Sequence, residues 1–415
     1  MKKRKRSYHE SRPKSQATIA PLEVTIERIL PGGAGLAHAE GLTILVGLAA
    51  PGDRLRVKVD RKRGSVAFAS IIEIIEPSPA RVSPPCPYFG HCGGCDFQQL
   101  DYKAQLSAKV EIIRDCLRRI ARIDFPQDIP ITPSPDAWRY RSRAQWQFDA
   151  RQKLFGYFER GTHNICDVAS CPVLAPALEE KLEELRERVR QGQMPREVGE
   201  FQAVAGDEGA SVFPPFDEEE TREVSRRIGD YLYRFSAEGF FQINQALLPA
   251  LIDAAIAEAR GEHALDLYCG AGLFTLPLSK RFARVTGVEA HAGAVASGLR
   301  NLAHANASNA HLECSLVGEW LHQHASSLAP LDFILLDPPR SGTEDGVIAG
   351  ILAARPQNIS YVSCDPATLA RDLLSLQTGG YQLDSIHAFD MFPQTHHVET
   401  VAHLSPIKFS ADESS

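Results

Sequence analysis

No apolar run in this 415-residue chain approaches the ~18–20 residues needed to span a bilayer; Gly47 and Pro51 interrupt even the stretch around Leu42–Ala50. The charged start, Met1-Lys-Lys-Arg-Lys-Arg-Ser7, has no apolar segment behind it, so secretion is not expected. A disulfide framework is lacking too. Nine cysteines, an odd number spread over a long chain, point instead to a reducing cytoplasm with thiols available for metal or catalysis. With 44% hydrophobic and 23% charged residues, a disordered, collagen-like or fibrous chain is excluded. An overall positive charge is also missing, the formal net charge being −7. The distribution is uneven, however. Residues 1–76 hold 14 Lys+Arg against 8 Asp+Glu, net +6, which leaves −13 on the remainder. A basic segment on an acidic body suggests a local grip on a polyanion; residues 2–6 read equally well as a solvated tail.

The length implies two or three domains. Residues 1–17, charged and Ser-rich, are expected to be a disordered basic tail. Over 18–76, alternating segments such as Leu22–Ile26 and Leu55–Val59 are separated by turns at Pro31-Gly32-Gly33, Pro51-Gly52-Asp53 and Arg63-Gly64. They predict a small OB-like β-barrel, an architecture that often carries single-stranded nucleic acid. Five prolines between Pro77 and Pro87 mark a linker. An amphipathic helix follows over Lys103–Ile120, with Cys116 most simply a core residue. Residues 77–235 read as a central α+β domain with a charged helix near Leu178–Arg190, and the acidic segment Gly206–Thr221 as a loop or hairpin turn. From 236 to 415 a helix over Leu247–Arg260 precedes strands at Ala264–Tyr268, Arg284–Val288, His311–Leu316, Asp332–Asp337 and Ile359–Cys364. That alternation predicts a doubly wound α/β domain, with ligand bound at the carboxyl ends of the strands.

The first βα turn, Leu265-Asp-Leu-Tyr-Cys-Gly-Ala-Gly-Leu-Phe274, lacks the third glycine of a dinucleotide fingerprint, Thr275 standing there instead. Glu289 ends the second strand, where an acid suits ribose hydroxyls. An Asp-x-x-x-Gly-x-Gly turn followed by this Glu resembles the S-adenosylmethionine (SAM) site of class I methyltransferases. Cys269, under the turn, reads as a packed residue. At the same rim the fourth strand ends in Asp337-Pro-Pro-Arg340 and the fifth in Val362-Ser-Cys-Asp-Pro366. The aromatic residue that would stack on an amino-bearing base after Asp-Pro-Pro is absent, so amine methylation is the weaker reading. Cys364 points to covalent activation of a pyrimidine. Carbon-5 of uracil is a poor nucleophile until a thiolate adds at carbon-6, and a base must then remove the carbon-5 proton. After a sixth strand, Leu383–Phe389, an antiparallel last strand beginning at Glu399 would bring that carboxylate to the same rim.

Cys86, Cys92 and Cys95 have the spacing C-x5-C-x2-C and need a fourth ligand, Cys166 or Cys171. Four thiolates suit zinc or an iron–sulfur cluster; a single close pair beside Gly93-Gly94 favours the cluster. The tighter three-cysteine spacing of radical-SAM enzymes is missing. Trp138-Arg-Tyr-Arg-Ser-Arg-Ala-Gln-Trp146 interleaves arginines with aromatics, a composition that can stack on unpaired bases or form an ordinary sheet edge.

Phe240-Phe-Gln-Ile-Asn244, Asp266–Gly272, Asp337-Pro-Pro-Arg340, Ser363-Cys-Asp-Pro366 and Phe392-Pro-Gln-Thr-His-His-Val-Glu399 together resemble the RNA uridine-5-methyltransferase family. Similarity is strongest over 236–405 and extends from about residue 18 onward. The resemblance implies Cys364 as nucleophile, Glu399 as carbon-5 base, and SAM contacts at Gln242, Tyr268, Glu289 and Asp337. Leu273 stands where relatives often have a polar contact, and no role is carried to it; the segment after Glu313 is too divergent to assign. Relatives with this cysteine pattern carry a 4Fe–4S cluster. The cysteine before Pro-Val-Leu matches their fourth ligand, which implies Cys86, Cys92, Cys95 and Cys171 and leaves Cys166 free. The barrel resembles the TRAM module. The whole looks most like enzymes acting on 23S ribosomal RNA, with a tRNA T-loop uridine as the alternative substrate; no membrane and no obligate protein partner are inferred. Other readings are a non-catalytic RNA-binding factor, or a methyltransferase for amines or cytosine.

Overall fold

The computed structural model describes residues 20–194, 199–215, 221–328 and 331–407. The expected basic tail lies outside the described residues. The first six strands form one sheet: β1 (Leu22–Thr25), β2 (Arg28–Ile29), β3 (Gly35–Ala39), β4 (Leu42–Val46), β5 (Arg54–Arg63) and β6 (Val66–Glu76), in the order β1-β5-β6-β4-β3-β2. Its two edges, β1 and β2, are consecutive pieces of one segment, so the sheet curls round on itself. Alternation makes this possible: Leu22, Val24, Leu42, Ile44, Val46, Leu55 and Val57 point into one apolar core while their neighbours face out. Asp53, fully buried, receives both Nε and Nη2 of Arg81 and ties the sheet to the chain that follows.

Helix α1 (Tyr102–Cys116) is capped by Asp101, whose carboxylate accepts from Ala104 N at 2.8 Å. It continues as one π-helical turn through Ala121. Next come β7 (Ile131–Thr132), β8 (Arg143–Asp149), β9 (Leu154–Phe158), β10 (Ile165–Asp167), α2 (Pro176–Gln191), β11 (Glu200–Gly206) and β12 (Gly209–Phe213). The last five strands make an antiparallel sheet in the order β10-β9-β8-β11-β12. Leu178, Leu182, Leu185 and Val189 form the buried stripe of α2 against it, each contributing about 1.5–3 kcal/mol by burial. The stretch 206–221 contains a strand that was not expected there, because its turn is only Asp207-Glu208.

After a hairpin, β13 (Val224–Ile228) and β14 (Tyr231–Phe235), the chain runs α3 (Leu248–Ile256), β15 (Gly261–Leu267), α4 (Thr275–Leu278), β16 (Phe282–Glu289), α5 (Ala292–His304) and β17 (Ala310–Cys314). It ends with α6 (Val317–Leu328), β18 (Leu331–Leu336), α7 (Val347–Ala354), β19 (Pro356–Ser363), α8 (Pro366–Thr378), β20 (Tyr381–Phe389) and β21 (Glu399–Pro406). The sheet order is β17-β16-β15-β18-β19-β21-β20-β7. Strands β15 to β19 pair in parallel, and the central ones, β15, β18 and β19, are buried on both faces, whereas β17 is a half-exposed edge. β21 is antiparallel to both β19 and β20.

Packing cuts across the borders expected from the chain. Strand β7 is the far edge of this large sheet, and Ile113, Cys116, Leu117 and Ala121 pack into the same core as β18 and β19. The β13–β14 hairpin likewise joins the core under α3. Among the described residues no helix is long and apolar enough to cross a membrane.

Candidate active site

The carboxyl ends of β15, β16, β18 and β19 and the start of β21 meet on one rim. Ser363 pairs with Thr400, and the Thr400 hydroxyl donates to Ser363 O at 3.0 Å. Cys364 follows Ser363 and Glu399 precedes Thr400, so the two flank that pair, close enough for the Glu399 charge to act on the thiol. Cys364 lies between the end of β19 and Asp365, whose carboxylate caps α8 by accepting from Ala367 N and Thr368 N, both at 2.9 Å. Nucleophile and carboxylate candidates are thus set by backbone pairing and a helix cap.

Burial is the largest influence on both. It pushes the Cys364 thiol up, the charges of Glu399 and Asp337 push it further, and Arg340 pulls it back. Glu399, 1% exposed, is held well above the ordinary carboxylate range by burial, with Asp337 adding and Arg340 opposing. Its Oε1 has no hydrogen-bond partner. Asp337 is pushed up to about 7 by burial, against a hydrogen bond from Gln242 Nε2 at 3.1 Å. Arg340 is exposed, and its guanidinium lies 5.9 Å from the centre of the Phe392 ring.

The first βα turn is held by side chains that its motif alone did not assign. Thr275, at the place of the missing third glycine, donates its hydroxyl to Asp266. Asp266 is fully buried, keeps an unpartnered Oδ1, and is pushed up to about 7: burial raises it, the Thr275 bond opposes, and Asp337 and Glu289 add. Glu289 accepts from Gly270 N at 3.1 Å and from His291 N at 2.7 Å, so the acid at the end of β16 braces the turn. Gly270 and Gly272 have φ of +54° and +85°, backbone that favours glycine. Tyr268 takes φ +64° and donates its hydroxyl to Glu344. Gln242 and Asp337 therefore stand with Cys364 and Glu399, Glu289 ends a neighbouring strand of the same rim, and the Tyr268 hydroxyl turns to Glu344. Leu273 is buried in the core and Cys269 packs beneath the turn. Three carboxyls with raised proton affinity beside one exposed cation make a rim short of positive charge. That arrangement fits a cationic ligand such as a sulfonium, which would favour the ionised form of all three.

The cysteines form a second cluster. Cys86, Cys92, Cys95 and Cys171 line one cavity together with Tyr88, Gly94 and Arg141; Cys166 is buried in β10 beside Cys92 and does not line it. Burial pushes the thiols of Cys92, Cys95 and Cys171 each up to about 11. Among the described residues no three His, Cys, Asp or Glu side chains are gathered closely enough to hold a metal ion. The chemistry of the cavity nevertheless suits an anionic, thiolate-bound group. Arg141, half-buried, stays charged there, with Tyr140, Cys95 and Cys171 favouring its charge against the cost of burial, and its Nε has no acceptor.

Two of the three aromatics in the interleaved segment 138–146, Tyr140 and Trp146, are core, while Trp138 is half-buried. Trp146 is fully buried and donates to Tyr157 Oη at 3.2 Å; Tyr140 is buried with its hydroxyl on Pro393 O at 2.9 Å; Arg143 donates to Gly239 O. Strand β8 runs between two others, so its aromatics are core, and Arg139 is left exposed.

The family model described as tRNA (Uracil-5-)-methyltransferase matches residues 216–406. A 23S rRNA (uracil(1939)-C(5))-methyltransferase, RlmD, of Vibrio parahaemolyticus is 31% identical, covering 95% of this chain and 98% of that protein. The RlmD of Pectobacterium atrosepticum is 32% identical over 92% of this chain and 93% of its own. The crystal structure of Pyrococcus abyssi tRNA (uracil-54, C5)-methyltransferase in complex with S-adenosyl-L-homocysteine (SAH) aligns with a TM-score of 0.70 at 25% identity, covering 92% of this chain and 100% of that one.

Proposed function

Because the chain belongs to the RNA (uracil-5-)-methyltransferase family, we propose that it methylates carbon-5 of an unpaired uridine in 23S rRNA, with Cys364 as nucleophile and Glu399 as base. The observation that supports this reading is that Cys364 and Glu399 flank the Ser363–Thr400 pair, within electrostatic reach of each other, of Asp337 and of Arg340. SAM, when bound, supplies the methyl group and a positive sulfonium, with Gln242, Tyr268, Glu289 and Asp337 as its contacts. Three curated strands of support favour ribosomal RNA: two relatives named for 23S rRNA, near-complete mutual coverage, and identity above that of the tRNA enzyme.

The thiol of Cys364 gives its proton to solvent before it attacks. Its sulfur then bonds to carbon-6, and the ring double-bond electrons move onto the carbonyl oxygen as an enolate. Carbon-5 takes the methyl group while the carbon–sulfonium electron pair stays on the departing sulfur. Glu399 removes the carbon-5 proton, the electrons of that bond restore the ring double bond, and the carbon-6–sulfur bond breaks to release Cys364 as thiolate. The uridine must be unpaired or extruded for this to happen. Cys86, Cys92, Cys95 and Cys171 are the residues that would hold a 4Fe–4S cluster, with Arg141 offsetting its negative charge.

Cys364→Ala should abolish methylation while leaving SAM affinity near normal, and Glu399→Gln should accumulate a denaturation-resistant protein–RNA adduct. Turnover by the first variant, or no adduct with the second, overturns the mechanism. Mass mapping of modified nucleosides in rRNA and tRNA from a strain lacking the protein identifies the substrate; a 5-methyluridine lost only from tRNA overturns the ribosomal assignment.

A further inference from the structure

The nine residues that join β20 to Glu399 hold a few bonds of their own, such as Thr395 Oγ1 to Phe392 O at 2.8 Å. Gln394 adopts φ +68°, a left-handed backbone that non-glycine residues rarely take. Many of the bonds that fix the loop from outside come from the segment just after the cysteine cluster, beside Tyr140 Oη on Pro393 O and Gln394 Nε2 on Ala137 O. Asp96 N and Phe97 N both donate to Gln394 O, at 3.1 and 3.0 Å. Gln105 and Gln394 exchange bonds, Gln394 N to Gln105 Oε1 at 2.9 Å and Gln105 Nε2 to Gln394 Oε1 at 3.0 Å. Lys109, fully buried, pairs with Asp390 and donates to Phe392 O at 3.0 Å.

The contact nearest to Glu399 is made by Asp96. Its Oδ1 accepts from His396 N at 2.9 Å and its Oδ2 lies 2.5 Å from His396 Nδ1, so one carboxylate grips both backbone and side chain three residues before the carboxylate at the rim. The barrel closes over this pair. A Cβ added to Gly33 would come within 2.9 Å of Asp96 Oδ2 and 3.1 Å of His396 Cβ, so glycine there allows the turn to rest directly on it. Only His397 and Val398 separate the gripped residue from Glu399, and both are held against the rim: Val398 in the core, and the His397 ring edge-on to Phe392 at 5.9 Å.

We infer that Asp96 is a positioning residue for Glu399: through His396 it seats the 390–398 loop so that the carbon-5 proton lies within reach of the carboxylate. This rests on the assignment of Glu399 as base. The consequence is specific to one step. Cys364 is placed by β19 and α8, the donor contacts Tyr268, Glu289 and Asp337 by the ends of β15, β16 and β18, and Gln242 by the segment before α3. No group of attack or methyl transfer is itself carried by this loop, and these steps depend on it only through the Arg340–Phe392 contact. Proton removal and release of the thiolate depend on it directly.

The test uses the full chain, SAM and the RNA substrate, with quenched samples assayed for denaturation-resistant adduct alongside turnover. Asp96→Ala should lower kcat about tenfold, since small misplacements of a reacting group cost rates of this order. It should also raise the steady-state share of adduct severalfold and leave the KM for SAM within about twofold. Asp96→Asn, which keeps an acceptor for His396 N, should recover part of the loss. His396→Ala breaks the same pair from the loop side, away from the cysteines, and must accumulate adduct likewise; it also decides the matter if Asp96→Ala does not fold. A fall in kcat without adduct, or disagreement between the two alanine variants, overturns the inference. Glu399→Gln run in parallel separates the two ideas: adduct there but not in the Asp96 and His396 variants removes Asp96 alone, and adduct in none removes the base assignment itself.

Discussion

The catalytic rim and the cysteine cavity are electrostatic opposites built from different kinds of scaffold. At the rim, Asp266 and Glu399 are buried and Asp337 half-buried, all three with raised proton affinity, and the facing cation, Arg340, is exposed. In the cavity, a half-buried guanidinium lies among thiols and has an unpartnered Nε. The first place needs a positive guest and the second a negative one. Their scaffolds differ as well: Cys364 and Glu399 are fixed by strand register, whereas Cys86, Cys92, Cys95 and Cys171 sit on turns and loops outside any strand or helix. A single loop, 390–398, is in contact with both regions, since Asp96 follows Cys95 and grips His396.

The contrast breaks most visibly at the half-buried cation. Arg141→Met keeps the volume and removes the charge. On the proposal that the four thiols hold a 4Fe–4S cluster, its affinity should fall about 10–100-fold, the usual cost of losing a neighbour that supports a metal site, read as iron and sulfide per polypeptide after reconstitution. Arg340→Met should leave iron content unchanged. If iron stays with Arg141→Met, the cavity does not owe its anion preference to this residue. At the rim, Asp337→Asn should erase about tenfold of the preference for SAM over SAH. A unit charge on the sulfonium is the difference between the two ligands, and a nearby carboxylate in partly screened surroundings is worth at least that much. Equal loss for SAM and SAH would show that Asp337 acts by hydrogen bonding and not by charge.

How much of this was legible depends on what each residue's role requires. The strands and their alternation with helices follow from periodicity and spacing. An antiparallel last strand, posed as a condition, was enough to bring Glu399 to the rim of Cys364; the strand order itself was not legible. Asp266 was visible within its motif, but its orphaned Oδ1 and the bond from Thr275 arise only when the turn closes; the hydroxyl nine residues on, in place of a third glycine, was the available signal. Trp138–Trp146 misled because a buried central strand and a base-stacking platform share one composition, and only the neighbours of β8 distinguish them. The allegiance of α1 and β7 to the large sheet was hidden for another reason. Two residues of strand have no period, and the prolines around them look like a linker. Gly33 reads as an ordinary turn glycine, and nothing in the local sequence relates it to His396.

The charge argument at the rim also fixes a pH dependence. Asp337 and Asp266 titrate near 7 in the free protein because burial disfavours their charged forms. Both folded-state values lie above the unfolded ones, so this contribution to stability is complete below about pH 4 and is lost as pH rises through about 7. A cation binds better to the ionised carboxyls. The SAM-to-SAH affinity ratio should therefore rise between pH 5.5 and 8.5, by up to about tenfold, and SAM binding at pH 7 should release more protons than SAH binding. Calorimetry in buffers of different ionisation enthalpy measures both. A ratio that is flat or falls with pH would mean the carboxyls are already ionised without ligand, and with Asp337→Asn most of the slope should vanish.

The smallest effect separates core from surface in the segment that misled. Trp146→Phe keeps most of the buried ring and removes the donor to Tyr157, at a cost of about 1 kcal/mol. RNA affinity should not change, because the ring faces the core between β9 and β11. Arg139→Ala removes an exposed guanidinium from the same segment, and should leave stability within about 0.5 kcal/mol of the parent while weakening RNA binding severalfold at low salt and less at high salt. Urea titration and filter binding across a salt series give the two quantities. The reverse pattern, with RNA binding lost in Trp146→Phe and kept in Arg139→Ala, would return the segment to the stacking role and make β8 part of the RNA surface.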